Sequence, residues 1–302
     1  MKTIMCLAGG IALMSLFSCK SQQGITVDSP SFPDFSTEAH RGGRGLMPEN
    51  TIIAMYDAID RGVTTLEMDT HITGDKEVIV SHDAYLNANF VKTPAGTEFT
   101  KEEQKNYVIY KMTYEELRKF DVGSKFYAAY PDQKKVNTYI PRLADLIDSV
   151  QNYIKVNHKK QVFYNIETKS SAKDDNIHNP EPAEFVKLLM NVLEEKKIMP
   201  YVVIQSFDIR TIQLIHEKYP QVRTSYLVSN KETFEQNIAS LGYKPFIYSP
   251  HYKLVTPELV QKCHDEQIKI IPWTANTKED IESLKAMKVD GIITDYPNLL
   301  VK

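Results

Sequence analysis

From Thr37 onward the chain alternates short, β-rich apolar runs with stretches whose apolar residues recur every three or four positions. Runs such as Val202-Val203-Ile204 and Ile268-Lys269-Ile270-Ile271 are compact and mostly apolar, as strands covered on both faces tend to be. The pattern predicts strands over 37–42, 64–71, 161–169, 202–207, 222–228, 245–251, 268–274 and 290–295. Helices are predicted over 50–61, 141–156, 182–197, 208–218, 232–240, 257–267 and 278–287. Alternation of this kind is the mark of an α/β protein with a parallel sheet and right-handed crossovers. The strand count favours a closed (β/α)8 barrel. An open doubly wound sheet is the competitor, but no glycine-rich phosphate fingerprint follows the first strand.

Two features depart from a regular barrel. Lys76 to Asp83 follows the second strand after only Gly74-Asp75, so it must return antiparallel as a β-hairpin; a parallel return needs a long crossover. A polar stretch from about 84 to 139 follows, with one helical piece near 113–120. It is too long for a connector and reads as an insertion over one end of the barrel. Its tyrosines (Tyr107, Tyr110, Tyr114, Tyr127, Tyr130 and Tyr139) are expected to pack the insertion itself.

The N-terminus reads as targeting, not fold. Lys2 precedes an apolar run from Ile4 to Phe17, shorter than the ~20 residues that span a bilayer. The run ends in Leu16-Phe17-Ser18-Cys19, which resembles the bacterial lipoprotein processing box, whose cysteine becomes the lipidated first residue of the mature chain. An ordinary signal peptide that happens to contain a cysteine is the alternative. The expected division is a signal peptide over 1–18, a polar tether over 19–36 and one barrel domain over 37–302. Export with a lipid anchor at Cys19, on the periplasmic or cell-surface side of a bacterial membrane, follows from the same resemblance. Cys263 would then be the one cysteine left besides Cys19, so neither a disulfide within the fold nor a cysteine zinc site is expected. The net charge of −3 gives no reason to expect nucleic-acid binding.

Chemistry in such a barrel sits at the C-terminal strand ends. Those ends carry His40-Arg41-Gly42, Glu67-Met68-Asp69, His82-Asp83, Glu167-Thr168-Lys169, Trp273-Thr274 and Thr294-Asp295. Residues two apart on a strand share a face, so Glu67 aligns with Asp69, and Glu167 with Lys169. Three carboxylates meeting at a barrel mouth need a cation, and all-oxygen donors favour Ca²⁺ or Mg²⁺ over zinc. His40 and His82 can act as base and acid in one turnover. Arg41 and Lys169 can meet phosphoryl oxygens, although Arg41 could equally be a buried partner of Glu49. Trp273 could stack on the apolar face of a substrate. The remaining histidines (His71, His158, His178, His216, His251 and His264) are read as surface or packing, His251 least firmly because it lies near a strand end.

In order along the chain stand His40-Arg41-Gly42, Pro48-Glu49-Asn50-Thr51, Glu67-x-Asp69, His82-Asp83, Glu167-x-Lys169, Ser206-Phe207, Trp273-Thr274-x-Asn276 and Thr294-Asp295-x-Pro297. This ordered set resembles the glycerophosphodiester phosphodiesterase family. The resemblance implies a distorted TIM barrel that hydrolyses glycerophosphodiesters to glycerol 3-phosphate and an alcohol. It further implies a Ca²⁺ or Mg²⁺ ion on Glu67, Asp69 and Glu167. His40 and His82 match the family's acid–base pair, and Arg41 and Lys169 its phosphate-facing cations. Pro48 to Thr51 reads as architecture, with Asn50 capping the first helix. Competing readings are a phospholipase-type phosphodiesterase releasing a cyclic phosphate, a lipoprotein that binds without turnover, and a glycosidase carboxylate pair, which would leave both histidines unused.

Overall fold

The computed structural model describes residues 30–301, so Cys19 and the signal-peptide reading lie outside the described residues. Among those described, no helix is long and apolar enough to cross a membrane. Strands β1 (Ser36–Ala39), β2 (Thr65–Ile72) and β3 (Val78–Val80) open the fold, with α1 (Ile52–Arg61) between the first two. The short α2 (Tyr114–Leu117) and then α3 (Leu143–Val156) follow. Next come β4 (Phe163–Thr168), α4 (Pro182–Glu195), β5 (Val202–Ser206), α5 (Ile209–Lys218) and β6 (Arg223–Val228). The chain finishes with α6 (Phe234–Leu241), β7 (Ile247–Pro250), α7 (Pro257–Asp265), β8 (Lys269–Ile270), α8 (Lys278–Ala286) and β9 (Gly291–Thr294).

The parallel strands run in the order β8-β7-β6-β5-β4-β2-β1-β9, and β3 pairs antiparallel with β2. Backbone hydrogen bonds Asp290 N to Ile270 O (2.9 Å), Ile293 N to Pro272 O (3.0 Å) and Ala275 N to Ile293 O (3.1 Å) join the two ends. The sheet is therefore a closed, distorted (β/α)8 barrel with a hairpin on β2. β8 is shorter than its apolar run because Pro272 has no N–H to continue the ladder.

Local chemistry sets the helices. Thr51 starts α1 by accepting from Ala54 N, and Gly62 ends it at φ 90°. Ala54, Met55, Ala58 and Ile59 form the buried stripe of α1. In α4, Pro182 opens the first turn while Phe185, Val186, Leu189, Met190 and Leu193 face the sheet. These stripes meet the outward residues Leu66, Met68, Tyr164, Ile166 and Ile204 in the main core.

The inward column differs. Val203, Ile247, Ile271 and Ile293 fill part of it, with Phe32, Phe246 and Trp273 against them. The remainder is polar: Glu38 is fully buried, accepting from Ser36 Oγ (2.9 Å) and Asn165 Nδ2 (2.8 Å). Residues 30–36, expected as the end of a free tether, are instead seated on the barrel. Phe32 packs edge-on to Phe163 and Phe246, Arg223 Nη2 donates to Pro30 O at 2.9 Å, and Ser36 begins β1. Apolar closure of the barrel floor decides this, and the polar composition of the segment conceals its phenylalanines.

Between β3 and α3 the chain builds a second core from Ile79, Leu86, Val91, Ile109, Leu117, Phe120 and Val122 among others. Tyr114 is buried in it, and Tyr107 packs on its edge.

Burial lifts Glu38 from the ordinary carboxyl range to about 7, against the pull of its hydrogen bonds to Asn165 and Ser36. The unfolded carboxyl titrates near ~4.3, so this group's stability contribution is complete below that pH and is lost as pH rises to about 7. Glu38→Gln removes the loss. Its melting temperature should gain on wild type between those two pH values and hold a constant offset above; a pH-independent offset throughout would contradict this placement.

Candidate active site

β1 ends at Ala39, three residues earlier than its pattern suggests, because His40–Gly42 turn inward with Arg41 at φ 53°. Glycine is required at 42, where φ is 78° and a Cβ would lie 2.7 Å from Ala54 Cβ. The turn aims the Arg41 N–H at Glu67 Oε2 (2.8 Å). Glu67 and Asp69 project inward from β2 and Glu167 from β4, and one oxygen of each gathers within 4.8 Å of the others. All three are buried.

Such a cluster is electrostatically unfavourable unaided. Burial and the charge of Asp69 push Glu67 well above the ordinary carboxyl range, and burial also raises Glu167 against the pull of Lys169. For Asp69, burial opposes the charge, but Arg41, His82 and Lys169 outweigh it and hold the group well below that range. Asp69 Oδ2 accepts from Asn50 Nδ2 at 2.9 Å and faces Arg41 Nε at 3.3 Å. Its Oδ1 is buried with no hydrogen-bond partner. Lys169 Nζ stands 2.9 Å from Glu167 Oε1 and 3.8 Å from Asp69 Oδ1. Three close carboxylates with an orphaned buried oxygen are a donor set that fits a hard divalent cation.

Asn50 is a correction. Thr51 is the N-cap of α1, and Asn50, at φ 57°, instead clasps Asp69, also accepting from Asp69 N at 3.3 Å. Pro48 to Thr51 is therefore part of the site as well as of the architecture. Arg41 is the buried partner of Glu49, with Nη1 2.9 Å from Oε1, and its side chain also borders the cavity.

Each histidine at a strand end has a carboxylate behind it. His40 Nδ1 lies 2.5 Å from Asp295 Oδ1. Asp295 also accepts from Arg44 Nε (2.9 Å), Tyr130 OH (2.9 Å) and Asn276 Nδ2 (2.7 Å). Burial, outweighing the attraction of Asp295, lowers His40 to about 4, so the ring is neutral near pH 7. With Nδ1–H committed to Asp295, Nε2 is left as the basic nitrogen. His82 Nδ1 lies 2.8 Å from Asp83 Oδ1, and Asp83 Oδ2 accepts from Asn87 at 2.6 Å. His71, buried, braces this arm from below, its Nε2 3.1 Å from His82 O.

His40, Arg41, Glu67, His82, Glu167, Lys169 and Trp273 border one cavity of about 120 Å³, with Asp69 buried beneath. Trp273 Nε1 donates to Ser249 O at 3.0 Å, and Phe207 meets its ring edge-on at 5.3 Å. A larger bay of about 460 Å³ adjoins it across His82, Glu167, Lys169 and Phe207. That bay mixes polar and apolar residues: Asp83, Ser170, Ser171, Lys173, Asp174 and His178 share its wall with Ala84, Tyr85 and Phe207. His178 thus borders the site, while His216 stacks on Tyr243, His264 meets Asp290, and His251 packs against Trp273.

The sequence assigned no role in the site to Asp295, Asn50, Gln205 or Tyr130, with Asn50 read as a cap and Tyr130 as packing. Thr294-Asp295 stood in the ordered motif set, and its place at a strand end was the available signal. Nothing local marks Tyr130, which reaches Asp295 from the segment between β3 and α3.

Comparison with known proteins bears on the fold and the family. A glycerophosphodiester phosphodiesterase of Caldanaerobacter subterraneus subsp. tengcongensis is 29% identical over 87% of this chain and 95% of its own. One from Bacillus altitudinis is 30% identical over 87% and 96%. The crystal structure of a Silicibacter pomeroyi protein assigned as a glycerophosphoryl diester phosphodiesterase superposes with a TM-score of 0.79 at 30% identity, over 88% of this chain and 92% of that one. An Oleispira antarctica phosphodiesterase, solved with the product sn-glycerol-3-phosphate, shares the fold with a TM-score of 0.67 at 21% identity, over 87% and 93%. The match to the glycerophosphoryl diester phosphodiesterase family runs over residues 40–299, beginning at the first histidine of the site, and the chain belongs to that family.

Proposed function

We propose that the chain is an exported, lipid-anchored enzyme that hydrolyses glycerophosphodiesters to glycerol 3-phosphate and an alcohol, using one divalent cation, Ca²⁺ or Mg²⁺. The observation that carries the chemistry is the sharing of one cavity by two imidazoles, each backed by its own carboxylate, and a three-carboxylate cluster. Glu67, Asp69 and Glu167 would hold the cation, which supplies positive charge for the non-bridging phosphoryl oxygens. Lys169 and Arg41 add fixed positive charge at the same place and orient the phosphate.

His40 accepts the proton of the attacking hydroxyl at Nε2 as the new P–O bond forms. His82 delivers a proton to the departing alkoxide as the old P–O bond breaks. The attacking hydroxyl is either water or the 2-hydroxyl of the substrate's own glycerol, and the second route passes through a cyclic phosphate. The two bays match the two arms of a phosphodiester. The small bay, which sets Trp273, Phe207, Leu227 and Ile293 beside its charged residues, would take the phosphate and the carbon face of glycerol; the larger bay, with Ser170, Ser171, Lys173 and Asp174 on its wall, would take the head group.

His40→Ala and His82→Ala should each keep the wild-type fold by circular dichroism and lose about 10²–10⁴-fold in kcat on glycerophosphocholine. Wild-type turnover in either variant would remove that residue from the mechanism. Chelation should abolish hydrolysis, and Ca²⁺ or Mg²⁺ should restore it better than Zn²⁺ across a panel of glycerophosphodiesters. Phosphorus NMR of the products separates a transient cyclic phosphate from direct attack by water. Activity unaffected by chelator would defeat the cation reading.

The anchor is supported by Leu16-Phe17-Ser18-Cys19 at the end of an apolar run. Metabolic labelling with a fatty acid should mark the wild-type chain and not Cys19→Ser, and the variant should leave the membrane fraction. Unlabelled wild-type protein would refute the anchor.

A further inference from the structure

We propose that Gln205, oriented through Asn165 by Glu38, is the positioning residue that presents Glu67 to a divalent cation. The inference rests on reading the carboxylate cluster as a cation site. It comes from a line of hydrogen bonds across the barrel interior, from β1 through β4 and β5 to β2. Gln205 Nε2 donates to Glu67 Oε1 at 2.7 Å. Asn165 Nδ2 donates to Gln205 Oε1 at 3.2 Å and to Glu38 Oε2 at 2.8 Å. Ser36 Oγ donates to Glu38 Oε1 at 2.9 Å. No member of the line is more than 1% exposed.

A primary amide has a donor end and an acceptor end, and a carboxylate accepts only. Were Gln205 reversed, its carbonyl oxygen would face the Glu67 carboxylate, acceptor against acceptor. Asn165 prevents this by giving its amino group to Gln205 Oε1. Asn165 could itself reverse, and Glu38 opposes this in its ionised form, because Oε1 takes the Ser36 hydroxyl and Oε2 then needs a donor. The orientation is kept even though Asn165 Oδ1 is left buried without a partner. Polarity thus passes from a carboxyl deep in the barrel to the cluster at its mouth. Glu67 Oε2 takes the Arg41 N–H at 2.8 Å, so both oxygens of Glu67 are pinned and each keeps a further lone pair. Partners that orient a metal-binding side chain in this way are commonly worth about 10–100-fold in affinity.

The test is isothermal titration of metal-free protein with Ca²⁺ and with Mg²⁺, alongside the melting temperature of each metal-free variant. Gln205→Met and Glu38→Met should weaken binding by about 10–100-fold. Glu38→Gln keeps an acceptor toward Asn165 and should bind close to wild type. A purely structural role would move melting temperatures without separating the two Glu38 variants in affinity. The Glu38 pair reads the line from its far end, so it decides the matter if Gln205→Met does not fold. Wild-type affinity in Gln205→Met or Glu38→Met, or Glu38→Gln as weak as Glu38→Met, would overturn the positioning role alone. A wild-type chain that binds neither cation would overturn the underlying site reading and this proposal with it.

Discussion

Three carboxylates held within 4.8 Å of one another inside the barrel are the constraint to which the rest of the site answers. Mutual repulsion and loss of water both oppose their charge. The surroundings are arranged to bear it: Arg41 and Lys169 beside Asp69, Asn50 clasping the same group, and a backbone N–H with Gln205 on Glu67. One oxygen, Asp69 Oδ1, is still without a hydrogen bond. A cluster so heavily supported and still incompletely satisfied is a donor set compatible with a divalent cation.

The two histidine arms are held by different means. His82 rests on a local pair, Asp83 and Asn87, with His71 below its carbonyl. His40 depends on distant chain: Asp295 comes from the end of β9, and Arg44, Asn276 and Tyr130 fix that carboxylate. The segment between β3 and α3 therefore does more than fill its own core. Through Tyr130 it closes on the carboxylate that holds His40 Nδ1, tying the orientation of that ring to the docking of the segment.

Much of this was legible in the chain. Strand and helix positions followed from apolar periodicity, because buried parallel strands and one-sided helices leave opposite patterns. Glu67, Asp69, Glu167, His40 and His82 could be grouped because side-chain alternation and strand ends fix where they point. What escaped were residues whose partners are remote. Asn50 had a sound local use as a cap, and only the closeness of β2 gives it another. Gln205 looks like any strand amide until Glu67 is seen 2.7 Å away. Phe32 lay in a polar stretch, and nothing local tells that it closes the barrel floor on Phe163 and Phe246.

The most direct test of the central claim is a crystal structure of the metal-loaded protein, with anomalous scattering from Mn²⁺ as a hard-ion probe in the Ca²⁺ or Mg²⁺ position. The account predicts one strong peak within coordination distance of Glu67, Asp69 and Glu167, bordered by both imidazoles. A peak elsewhere, or none among those carboxylates, would contradict it.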